Sequence, residues 1–249
     1  MNNKKLCLIF FVSIIIFAVI SCVNTPANNE ALQEEADTRG LPAPPGLRWF
    51  QSENNAVLIE EGVFINGVEW ATHNVNRDGT FVERPEDSGW TYQWNSIRAE
   101  FSMGQSTAGL LPASFFTNYP AGSSWEKEKD PSPPGWRVPT MEEVSSLLDT
   151  SKVLNEWVTQ NGVAGRRFTD RSSGQSIFIP AGGRWYANLD AGERNLRKID
   201  IGTSGHYWTS TADGNYGAAA FEFNSGSASL TASHRVMTNM IRPVADSSE

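Results

Sequence analysis

The sequence predicts an α+β domain, and three observations predict it. An Asn66-Gly67 pair between β-rich runs marks an N-terminal hairpin, because both central positions of a type I′ turn need positive φ. Apolar spacing after Thr140 marks two short helices. From residue 176 onward, short β-rich stretches divided by Gly, Asn and Asp mark a C-terminal antiparallel meander.

The chain begins with Lys4 and Lys5, an apolar run from Leu6 to Ile20, and Ser21-Cys22. Such a run is short for a transmembrane helix and suits the h-region of a signal peptide. Val19-Ile20-Ser21-Cys22 matches the lipobox of bacterial lipoproteins, which predicts cleavage before Cys22 and lipidation of that residue. Two or three acyl chains give firm membrane anchoring. Residues 1–21 read as the signal peptide and 22–46 as a lipidated tether, leaving 47–249 as a single domain. Residues 23–40 lack aromatic residues and have a coil reach of roughly 25 Å, and the Pro-rich Leu41–Gly46 is a stiffer entry segment.

The hairpin opens the domain over Gly62–Thr72, and residues 76–130 read as loop-rich. Thr140-Met141-Glu142-Glu143 forms a capping box, with Val144, Leu147 and Leu148 as the buried stripe of a first helix. A second helix is expected over Lys152–Gln160, with Val153, Leu154, Trp157 and Val158 inward and Gly162 as its stop. Strands are expected at Ser176–Ile179, His206–Thr211, Ala218–Phe223, Ser227–Thr231 and Asn239–Val244.

Composition narrows the function. The two cysteines are Cys7, inside the signal peptide, and Cys22, the lipidation site, so the expected mature domain has neither disulfide nor cysteine metal site. Loss of residues 1–21 removes two lysines and no acids. The remaining 18 basic and 28 acidic residues give a net charge of −10. No basic run or nucleic-acid module appears, so nucleic acid is excluded as an expected partner. His73, His206 and His234 share no metal-ligand spacing, and Ser124-Trp125-Glu126-Lys127 lacks the companion motifs of a serine acyl-transferase. No cofactor and no catalytic residue are expected. An enzyme would need titratable groups converging in space, such as a His–carboxylate pair.

Four motifs run through the second half: Pro134-Gly-Trp-Arg-Val-Pro-Thr-Met-Glu-Glu143, Gly182-Gly-Arg-Trp185, Gly205-His-Tyr-Trp-Thr-Ser-Thr211 and Ile241-Arg-Pro-Val244. In this order they resemble the FISUMP family, the Fibrobacter succinogenes major paralogous domain, over about residues 60–245. The resemblance implies a C-type-lectin-like fold, in which the first and last strands pair. It also implies kinship with formylglycine-generating enzymes, whose copper-binding cysteines this domain lacks. The Glu-Pro-Asn, Gln-Pro-Asp and Trp-Asn-Asp signatures of calcium-dependent sugar binding are absent, although Trp94-Asn95-Ser96 is similar in part. Trp136, Trp185 and Trp208 read as core aromatics and Arg242 as a structural donor.

Together these features lead to the expectation of a lipid-anchored binding or adhesion module at the outer membrane or cell surface, with a protein or glycan ligand. The alternatives are a cryptic enzyme or a fimbria-associated subunit. The binding face is expected in the C-terminal third. Every residue from Asn224 to Arg235 can be encoded by a codon ending in C or T, and Lys, Glu, Gln, Met and Trp are missing from the run. That bias resembles the variable ends of diversity-generating-retroelement target proteins. It nominates Tyr216, Ala218, Asn224, Ser225, Ser227, Ser229, Thr231, His234 and Arg235 as solvent-facing ligand contacts.

Overall fold

The computed structural model describes residues 47–51, 56–60, 62–77, 79–104, 112–186 and 196–246. Cys22, the signal peptide and the tether lie outside the described residues. Residues 42–249 cluster as one unit by their contacts.

Strands β1 (Leu47–Gln51) and β2 (Ala56–Glu60) pair antiparallel. Strands β3 (Val63–Ile65) and β4 (Val68–Trp70) form the hairpin, with Asn66 at φ 49° and Gly67 at φ 82° as the turn. The segment read as loop carries β5 (Trp90–Gln93), β6 (Ala99–Ser102) and two 3-10 turns at Ala113–Phe116 and Lys127–Lys129. After β7 (Trp136–Arg137) comes α1 (Met141–Leu147). Its capping box is complete: Thr140 Oγ1 accepts from the Glu143 amide at 3.2 Å, and Glu143 Oε2 accepts from the Thr140 amide at 2.7 Å. The same Glu143 carboxylate takes two bonds from Arg137, at 2.6 and 2.9 Å. One glutamate thus ties the helix start to β7.

The α+β expectation is wrong. Among the described residues, α1 is the one α-helix, and the rest of the framework is strand. Lys152–Gln160, read as a second helix, holds β8 (Val153–Gln160). It pairs along its whole length with β9 (Val163–Asp170), which in turn pairs with β10 (Ser176–Pro180). The reason lies in the dipeptide after it. Asn161 at φ 48° and Gly162 at φ 84° make the same two-residue turn as Asn66-Gly67. Val153, Trp157, Val158 and Thr159 also favour a pleated surface over a helix. A balanced two-helix arrangement is therefore replaced by a set of small antiparallel sheets.

The remaining strands are β11 (Arg184–Tyr186), β12 (Arg197–Ile199), β13 (Ser204–Asp213), β14 (Gly217–Asn224), β15 (Ala228–His234), β16 (Thr238–Asn239) and β17 (Val244–Ala245). The stretch read as one strand over Asn239–Val244 is instead split between β16 and β17. β17 pairs with both β4, through Val244 and Trp70, and β7. β16 joins β5 and β6 in a second sheet.

The sheet β13-β14-β15 organises the core because both of its faces are covered over part of their area. Successive side chains point to opposite faces. Tyr207, Phe221 and Phe223 enter one cluster with Ile65, Trp70, Leu147, Phe168 and Ile179. Trp208, Ala218 and Ala220 enter another with Tyr92, Trp94, Trp125 and Ile241. Hydrogen bonds from buried indoles fix the second cluster: Trp94 Nε1 donates to Thr209 O at 3.0 Å and Trp208 Nε1 to Tyr92 O at 2.6 Å. Trp136, Trp185 and Trp208 are all buried.

Candidate functional site

Six of the nine nominated residues are exposed, and they divide into two groups at opposite ends of the same sheet. Asn224, Ser225, Ser227 and Ser229 are exposed at or beside the β14–β15 turn. Asn224 Oδ1 is engaged by its own turn, accepting from the amides of Gly226 at 2.8 Å and Ser227 at 3.0 Å. Tyr216 and His234 are exposed at the other end, beside Gly217, which pairs with His234. Six rungs of ladder separate that pair from Phe223–Ala228, roughly 20 Å at about 3.4 Å per residue. Thr231 lies between the ends and is half-buried. On β15, Ser229 and Thr231 also point to the face opposite that of His234. No single surface unites the nine.

Two of the nine do not face solvent. Ala218 is fully buried, because the alternation that aims Ala220 at Trp208 aims Ala218 into the same cluster. Arg235 is 2 % exposed. Its guanidinium lies 4.2 Å from the Trp94 ring centroid and donates to three carbonyls: Gly217 at 2.9 Å, Pro120 at 2.9 Å and Gly214 at 2.8 Å. A codon pattern carries no information about burial, so Arg235 could not be told from the exposed residues of its run, and Ala218 lies outside that run.

The structure does assemble a compact aromatic platform at the Tyr216 end. Tyr119, on the segment after the first 3-10 turn, sets its ring edge-on against Tyr216 with centroids 5.0 Å apart. His234 lies 6.2 Å from Tyr119. Tyr216 is 63 % exposed, so its free ring face meets solvent. Tyr119 went unnoticed in the sequence because it is about a hundred residues from its partners, inside a stretch with no periodic pattern.

Arg235 explains how three separate segments hold this platform. Pro120 belongs to the Tyr119 segment, Gly214 and Gly217 flank Tyr216, and His234 is the preceding residue. One guanidinium pins all three backbones, and the planar fork of arginine suits several acceptors at once. The Arg235 amide also donates to Tyr216 O at 2.9 Å. Rings held on a fixed backbone lose little freedom when a ligand arrives.

Among the described residues no group of three His, Cys, Asp or Glu side chains is placed to hold a metal ion, and no helix is long and apolar enough to cross a membrane. Comparison of the chain with family models, with curated proteins and with solved structures finds no match.

Proposed function

We propose that this protein is a membrane-tethered lipoprotein whose domain binds glycans through Tyr119, Tyr216 and His234. The observation that carries the reading is the pre-positioned aromatic cluster, with Tyr216 and His234 exposed and Tyr119 half-buried against them. Aromatic faces suit the C–H faces of sugar rings, while tyrosine hydroxyls and an imidazole offer hydrogen bonds at the rim. A cluster of two tyrosines and a histidine is too polar for a purely apolar partner. The lipobox ending at Cys22 supports the tether, and the acidic mature chain disfavours attraction to anionic lipid or nucleic acid.

Binding is tested on an array of bacterial and host glycans, with titration of the best binder. Tyr216→Ala is expected to weaken that binder about tenfold, about 1.4 kcal/mol, while leaving the urea midpoint within error of wild type. Absence of any glycan binding by the wild type, or unchanged affinity in Tyr216→Ala, removes the reading. A protein ligand captured at the same tyrosines would also replace it.

The tether is tested separately. Cys22→Ala, expressed in a bacterial host that processes lipoproteins, is expected in the soluble fraction. A variant that stays with the membrane at unchanged gel mobility rules the anchor out.

A further inference from the structure

The sheet β13-β14-β15 carries a second constellation, remote from the aromatic platform. Alternation sends Ser204 and His206 to the same face of β13, and the register sets Glu222 of β14 directly opposite His206. Gly205 between them makes this possible. A Cβ there would lie 2.3 Å from the Phe223 ring, which fills the other face. Ser204 Oγ is 2.9 Å from His206 Nε2, and His206 Nδ1 is 3.3 Å from Glu222 Oε1.

Protonation follows from these partners. The hydrogen bond from His206 is the main cause that holds the Glu222 carboxyl below the usual carboxylate range, so at neutral pH Glu222 is ionised and only accepts. In the neutral imidazole, Nδ1 then carries the proton toward Glu222, and Nε2 accepts from the Ser204 hydroxyl. The His206 side chain is 7 % exposed and is held between its two partners, while Ser204 is half-exposed and open to a reactant. A hydroxyl, a base within hydrogen-bond reach and a carboxylate orienting that base are the parts of an activated serine. Arg184 adds a cation. The parallel bridge between Gly183 and Gly205 brings β11 beside β13, and the Arg184 charge reaches Glu222.

We propose that Ser204, His206 and Glu222 form a nucleophile–base–carboxylate site that hydrolyses small carboxylic esters of the acetyl class. Ser204 Oγ bonds to the ester carbonyl carbon as its proton passes to His206 Nε2. The carbon–oxygen bond to the alcohol then breaks, and the departing oxygen takes that proton. Water attacks the acyl-serine and gives a proton to Nε2, which returns it to Ser204 Oγ as the acyl group leaves as a carboxylic acid. Ester and water become alcohol and acid, with no other reactant. Glu222 stabilises the imidazolium formed in each half. An acetyl ester is the smallest such substrate and asks for the least room beside the half-exposed Ser204.

The full-length protein is treated with a fluorophosphonate probe, and turnover of p-nitrophenyl acetate is followed in parallel. The expected result is covalent modification mapped by mass spectrometry to the peptide containing Ser204. Ser204→Ala is expected to abolish both labelling and turnover at an unchanged urea midpoint. His206→Gln is expected to slow labelling at least about 100-fold, the usual worth of a positioned base, and Glu222→Gln to fall between that and wild type. The wild-type mapping needs no variant, so it decides even where a substitution unfolds the chain. No labelling of folded wild type, labelling that persists in Ser204→Ala, or an unchanged rate in folded His206→Gln would each overturn the proposal and leave a purely structural hydrogen-bond chain.

Discussion

Arg242→Met is expected to destabilise the domain by about 4 kcal/mol, within the range for removing one partner from a buried charged network. Against a total stability of about 5–15 kcal/mol, that is a large fraction. The side chain is 2 % exposed, and its guanidinium joins the Ala71–Asn74 segment to β10. Nε donates to Asn74 Oδ1 at 2.8 Å, and the two terminal nitrogens donate to Ala71 O and Phe178 O, each at 3.1 Å. Asn74 passes the connection on, its amide reaching Ser88 O at 3.2 Å and the Tyr207 hydroxyl at 3.2 Å. Tyr207 completes it by donating to Pro180 O at 2.8 Å, and burial pushes its hydroxyl pKa up, so it remains a donor. Methionine fills similar space but leaves three buried acceptors without this donor. Arg242→Lys should recover only part of the loss, since a point charge cannot span acceptors on separate segments. Urea titration followed by tryptophan fluorescence checks both. A midpoint for Arg242→Met close to wild type would show that water replaces the guanidinium at little cost.

That network also shows why some of the fold was legible in the sequence and some was not. Asn66-Gly67, the Thr140–Glu143 capping box and the α1 stripe are local devices: the residues that specify each lie within four positions of one another. Asn161-Gly162 is equally local, yet it supports a helix stop as well as a hairpin turn. Val153, Leu154, Trp157 and Val158 fit a 3.6-residue stripe, and only pairing with β9 shows them to be strand. The deciding partner, Val163–Asp170, carries Gly165, two arginines and Asp170, and so hid its own strand character. Gly165 is needed there because a Cβ would lie 2.6 Å from the Phe178 ring and 2.3 Å from Ile179 O. Long-range closure decided the class, and single-chain periodicity does not encode it.

The candidate sites divide in the same way. Tyr216 and His234 could be nominated from their place in the C-terminal third. Tyr119 could not, because Arg235 brings it there across 115 residues of chain. The Ser204–His206 spacing of two was visible, but a hydroxyl two residues from a histidine is common in any strand. Glu222 gives that pair meaning, and its placement opposite His206 depends on the β13–β14 register. A β-bulge between Trp208 and Ala212 interrupts that ladder. Counting back from the turn would therefore have set the wrong residue opposite the histidine.

Arg235→Ala is expected to lower stability by about 3 kcal/mol and to abolish ligand binding at the aromatic platform even where the domain remains folded. The stability loss has two sources. The carbonyls of Gly214, Gly217 and Pro120 lose their shared donor, at about 1–3 kcal/mol for each buried acceptor left unmet. The cation over the Trp94 ring is lost as well, worth up to about 2 kcal/mol when desolvated. Their sum overshoots, because Gly214 lies in an exposed turn where water can replace the guanidinium. Binding fails for a different reason: the Tyr119 segment, the Tyr216 turn and His234 no longer share an anchor, so the ordering cost falls on the ligand. Hydrogen exchange separates the two effects. Faster exchange should concentrate at residues 117–121 and 213–217, while the amides of β8, β9 and β10 slow or quicken only with global stability. Tyr216→Ala should show the opposite combination, with weakened binding and unchanged exchange in those segments. If Arg235→Ala loses stability but retains full affinity, the platform does not depend on this clamp, and Tyr119 and Tyr216 are held by their own ring contact.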